Sequence, residues 1–124
     1  MTTIIRGSDN FDTGRFASTA QTISSGGALT LAHGLGSTPF GVNAYLKCVA
    51  SEQGYSIGDE LIITPAMSGD DTTVNRGLSV VVDAANLTIR FGSSPNVFLQ
   101  LNKTTGSRAL FVNAKWNLHV RAWA

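Results

Sequence analysis

The stretch "FGVNAYLKCVA", residues 40–50, decides the fold by its period. Val42, Ala44, Leu46, Cys48 and Ala50 recur at every second position, with Asn43, Tyr45 and Lys47 between them. Successive side chains of a β-strand point to opposite faces, so the spacing predicts a strand with one apolar and one polar face. Immediately upstream, "ALTLAH" (28–33) is a short apolar strand that breaks at His33 into "HGLGSTP". Glycine supplies positive φ at such a break and proline presets φ near about −65°. The segment therefore reads as a corner between two strands, which either pair or cross between sheets. His33 is then a strand-end residue that hydrogen-bonds across the corner.

The same alternation recurs outward from this point. "DELIIT" (59–64), "LSVVVD" (78–83), "LTIRF" (87–91), "NVFLQL" (96–101), "ALFVNA" (109–114) and "WNLHVRAW" (116–123) bring the total to eight candidate strands. Turn signals punctuate them at short intervals: "SSGG", "EQGYSIGD", "MSGDDTT", "DAAN", "GSSP" and "NKTTGS". No helix is required. The pattern predicts an all-β fold, an antiparallel β-sandwich of jelly-roll type or a barrel. Residues 1–18 differ, being polar and turn-rich with Phe11 and Phe16 as isolated apolar anchors. They read as an extended N-terminal arm, either frayed or docking its phenylalanines on a partner, ahead of a β-domain over 19–124.

Composition narrows the function. A chain of 124 residues forms one domain with one core. The nine lysines and arginines are scattered, and net charge is +1. Nucleic-acid binding needs a concentrated cationic surface, which is missing, so no nucleic-acid partner is expected. Charged residues make up only 14% of the chain. A free-standing monomer usually carries about 25–35% on its surface, so part of this surface is expected to be buried against other subunits. No apolar run approaches the ~20 residues of a membrane helix, so no membrane insertion is expected. The start "MTTIIRGSDN" lacks the pattern of a signal peptide, and a cytoplasmic site of synthesis follows as an expectation.

Candidate chemistry is sparse. Cys48 sits in the alternating run and reads as a buried core thiol. His33 and His119 show no metal-ligand spacing, and no motif marks a zinc site or a nucleophile elbow. Asp70 and Asp71 could contribute oxygens to a cation site, although a solvated turn is the simpler reading. No cofactor is expected, and no acid/base pair supports an enzyme. The last strand is more informative. Trp116, Leu118, Val120 and Ala122 should form one face, leaving His119, Arg121 and Trp123 on the other. An outward tryptophan could pack on a neighbouring subunit or stack on a sugar ring. With Tyr45 and Tyr55, these three are the candidate subunit-interface or receptor contacts.

"AHGLGSTPFGVNAYLKC" (32–48), "GYSIGDEL" (54–61), "LSVVVDAANLTIRFG" (78–92), "LNKTTG" (101–106) and "NAKWNLHVRAWA" (113–124) together resemble small β-rich modules of tailed bacteriophages. Those modules are encoded in or beside tail-fibre genes. "IIRGSDNFDTG" (4–14) also looks like the opening of a phage structural protein. The resemblance implies a virion structural protein, a homotrimeric β-sandwich at a fibre or tail tip that contacts the host surface through a glycan receptor. The alternative it leaves open is a capsid decoration protein that grips the shell with its N-terminal arm.

Overall fold

The computed structural model describes residues 14–68 and 74–124. These form eleven strands: β1 (Arg15–Ala17), β2 (Gln21–Thr22), β3 (Ala28–Ala32), β4 (Gly41–Cys48), β5 (Glu60–Ile63), β6 (Met67–Ser68), β7 (Arg76–Val82), β8 (Asn86–Phe91), β9 (Leu99–Leu101), β10 (Arg108–Leu110) and β11 (Trp116–Trp123). A single 3-10 turn, Asn113–Lys115, interrupts them among the described residues. Every pairing is antiparallel. The first sheet runs β1-β11-β4-β5, with β2 also on β11; the second runs β3-β8-β7-β6; β9 and β10 form a separate hairpin.

The first sheet is organised by β11. It buries alternate residues, and its full length pairs with β4, Trp116 opposite Cys48 and Trp123 opposite Gly41. Trp116, Leu118, Val120 and Ala122 point inward beside Ala44, Leu46 and Cys48. Leu78, Leu87, Ile89 and Phe91 of the second sheet join the same buried cluster, so one core takes side chains from both sheets. Removing such area from water is the main stabilising term, roughly 25 cal/mol per Å² of apolar surface.

Several expected strands are shorter than the alternation implied. The stretch 96–101 is reduced to β9 (Leu99–Leu101), and 109–114 gives way after β10 (Arg108–Leu110) to the 3-10 turn Asn113–Lys115. Asn113 accepts from the Val97 N–H through its side chain and ends the ladder there. β1, β2 and β6 were not anticipated. β1 lies within the stretch read as an arm: it pairs with β11 and packs Phe16 against the chain's own core. Phe11, Asp70 and Asp71 lie outside the described residues. Cys48 is buried as expected, its thiol directed at the Ala50 carbonyl oxygen at 3.2 Å, and burial pushes its pKa up.

The 33–40 corner carries the chain from β3 in the second sheet to β4 in the first. Gly34 and Gly36 adopt φ of 66° and 81°, the left-handed conformation that L side chains disfavour. His33 is buried and spans the corner. Its Nδ1 accepts from the Leu35 N–H at 3.0 Å, which leaves Nε2 to donate to the Asp83 carbonyl at 2.8 Å. The histidine is a structural strut. His33→Ala should lower stability by about 2 kcal/mol, read as a lower urea midpoint at constant slope, since both partners lose their bond. An unchanged midpoint would remove this role.

Candidate functional site

The outward face of the first sheet gathers four of the five candidate contacts. Cross-strand register places His119 opposite Tyr45, Arg121 opposite Asn43 and Trp123 opposite Gly41. Tyr45 and His119 stack with ring centroids 4.9 Å apart and planes 7° from parallel. The Arg121 guanidinium carbon sits 4.4 Å from the Tyr45 ring centroid, a cation–π contact. Covered in this way, Tyr45 is only 8% exposed although it points outward. It is the floor of the patch rather than a contact residue. Glu60 of β5, opposite Lys47, lies 4.0 Å from both Lys47 and Arg121. These are loose, exposed pairs that orient more than they stabilise.

His119 is held neutral. Burial lowers its pKa first, then the charge of Lys47, with Arg121 adding and Glu60 opposing. A histidine depressed in the native state makes the unfolded chain the better proton acceptor. Stability is therefore full above the ordinary value of 6.5 and falls as pH drops from there towards the native pKa. Thermal melts at pH 7.5 and 5.5 should show a larger acid loss for the wild type than for His119→Gln. Equal losses would contradict the assignment.

Trp123 is exposed over 36% of its surface, and Arg121 on the same face is exposed as well. Its indole lies over the backbone of Gly41: a Cβ added there would fall 2.3 Å from Cε2 and 2.4 Å from Nε1. The ring is thus laid on β4 at Gly41 and stays partly exposed. Asn43 lies two residues along β4 from Gly41, opposite Arg121, and its Oδ1 is buried with no hydrogen-bond partner among the described residues. Phe40, 78% exposed, adjoins the same end, its N–H donating to the Trp123 carbonyl at 3.0 Å.

Tyr55 stands apart from this face. Its ring packs edge-on against Phe111 and Trp116, and its hydroxyl donates to the Leu101 carbonyl at 2.7 Å. Burial raises its pKa. Tyr55 therefore ties the 51–59 loop to β9. Sequence reading also missed Glu52, whose Oε2 accepts from the Trp116 Nε1–H at 2.7 Å and from the Val112 N–H at 2.9 Å. No local signal marks it, because both donors lie 60 or more residues away. Gly41 did carry a signal: an isolated glycine inside a strand pattern marks a close approach of another group.

The described residues hold no group of three or more histidine, cysteine, aspartate or glutamate side chains placed to bind a metal. What the outer face offers is recognition chemistry: an aromatic platform flanked by a guanidinium, an imidazole and an amide. No family model matches the chain, and no curated protein matches it.

Proposed function

We propose that this chain is a virion structural protein of a tailed bacteriophage, a tail-fibre or tail-tip module that acts by binding a host-surface glycan. The observation that carries the reading is Trp123, laid on Gly41 and exposed on the face that also carries Arg121 and His119. A sugar presents C–H groups to an aromatic face and hydroxyls to flanking polar groups, and this patch supplies both. In this reading the two sheets form a jelly-roll-like β-sandwich. Their shared core supports that, as do the connections β2–β3, β3–β4, β5–β6 and β10–β11, each of which leaves one sheet or hairpin for another.

The module assembles as a homotrimer within the virion. Its sparse charge supports this, together with the exposure of Phe40, Ile62, Met67 and Val81. Binding alone is its activity, with no cofactor and no catalytic group.

Glycan-array screening of the wild type and Trp123→Ala tests the receptor reading. Wild-type binding should fall at least about tenfold in the variant, equivalent to ~1.4 kcal/mol, with the melting transition retained. Equal and negligible binding by both would overturn it. Light scattering that gives a stable monomer at micromolar concentration would overturn the trimer.

A further inference from the structure

A slot of about 290 Å³ opens between β5 and the β9 side of the molecule. Ile62, Met67, Leu78, Phe98 and Gln100 are among the residues lining it, and none of its lining residues is charged. Strand edges border it. On β5, the Cys48 N–H donates to the Asp59 carbonyl, so the alternating pairs Leu46–Leu61 and Ala44–Ile63 are the hydrogen-bonded ones. Glu60 and Ile62 consequently turn their backbone groups away from β4, and no described residue takes them up. On β9, Phe98 and Asn102 bond to β10 through Phe111 and Ser107, so Leu99 and Leu101 turn theirs away from it. The Leu101 carbonyl is taken by the Tyr55 hydroxyl; no described residue bonds the backbone of Leu99.

A salt bridge ties the two elements at one end. Lys103, just past β9, pairs with Asp59, just before β5, at 2.7 Å. β5 and β9 do not pair with each other. An uncharged slot flanked by open strand edges has the form of a strand-acceptor site, in which main-chain bonds supply affinity and a groove takes alternate side chains. Natural proteins seldom leave such an edge uncovered.

We infer that the slot receives the N-terminal segment, residues 1–13, of a neighbouring copy as an added strand. This rests on the trimer proposed above. The segment opens with the uncharged run "MTTII" and supplies Ile4 and Ile5 for an uncharged groove. Extended, it reaches about 43 Å. It joins the fold at β1, which is the edge of the first sheet opposite β5. β1 starts at the Trp123–Gly41 end of the sheet, the end towards which β5 runs. Opposite edges of one sheet make a head-to-tail contact, and such a contact repeated by rotation closes into a ring. Each copy donates at β1 and accepts at β5.

The test mixes two full-length single variants, Ile5→Cys and Ile62→Cys, under mild oxidation, with Thr88→Cys on the second sheet as the control acceptor. The native Cys48 is buried and common to all. The Ile5–Ile62 mixed disulfide should form at least about tenfold faster than the Ile5–Thr88 product. Equal rates, or no Ile62 product, would overturn the proposal. Closure within a single chain of the double variant Ile5→Cys/Ile62→Cys, without mixed product, would overturn it too. Removing residues 1–13 should convert the trimer to monomer in light scattering. A trimer that survives the deletion without an Ile62 cross-link sinks the arm alone, whereas a full-length monomer sinks the trimer with it.

Discussion

Glu52→Ala is expected to destabilise the fold by about 3 kcal/mol, the largest effect of any single surface-loop change here. One carboxylate oxygen accepts from the Trp116 indole and from the Val112 backbone. Hydrogen bonds to a charged group are each worth about 1.5–3 kcal/mol, and a buried donor left without an acceptor adds its own cost. Trp116 is among the largest fully buried side chains, stacked on Phe111 with centroids 4.4 Å apart. Its N–H has no substitute for Glu52 among the described residues. For a chain of this length 3 kcal/mol corresponds to a melting temperature about 12 °C lower. Glu52→Gln retains a carbonyl acceptor and should lose roughly 1 kcal/mol. A double-mutant cycle with Trp116→Phe isolates the pair: strong coupling is expected, and additive losses would show that the carboxylate acts elsewhere.

Glu52 also shows where sequence reading stops. The alternation of β4 and β11 was legible because burial on one face imposes it residue by residue. It placed Trp116, Leu118, Val120 and Ala122 inward and His119, Arg121 and Trp123 outward, as the structure has them. It likewise made His33 a corner residue, since a histidine ending an apolar run before two glycines has few other positions to occupy. β1, β2 and β6 escaped because two or three residues are too short to display a period. Their strand character comes from partners: β1 exists because β11 offers it an edge. The burial of Tyr45 escaped for a related reason. Parity sends it outward, and only the cross-strand neighbours His119 and Arg121 cover it.

The same register explains why the candidate contacts are ordered rather than scattered along one face. Their positions follow from β11 pairing with β4 without interruption over eight residues. A one-residue slip would turn every one of them inward and expose the core set. The outer face is therefore specified by the core. The arrangement His119 on Tyr45, Arg121 over the same ring and Trp123 on Gly41 is a consequence of inward packing on the opposite side.

If the proposed glycan site is correct, Gly41→Val is expected to weaken glycan binding strongly while leaving the domain folded, because it takes the seat of Trp123 and keeps the tryptophan itself. The backbone at Gly41 has no left-handed φ, and valine suits a strand, so the substitution introduces no conformational strain. The new Cβ would occupy space held by Cε2 and Nε1 of the indole, contacts far inside van der Waals distance with the rigid part of a side chain. The ring must swing away into solvent. Tryptophan emission should move to the red relative to wild type, and binding should fall at least about tenfold, as far as in Trp123→Ala. Stability should change by no more than about 1 kcal/mol, the lost ring contact being offset by the better strand former. Gly41→Ala should act in the same direction, since the clash arises at Cβ. If Gly41→Val shifted the emission but bound glycan at wild-type strength, the seated ring would have no part in recognition, and Arg121 with His119 would have to carry it alone.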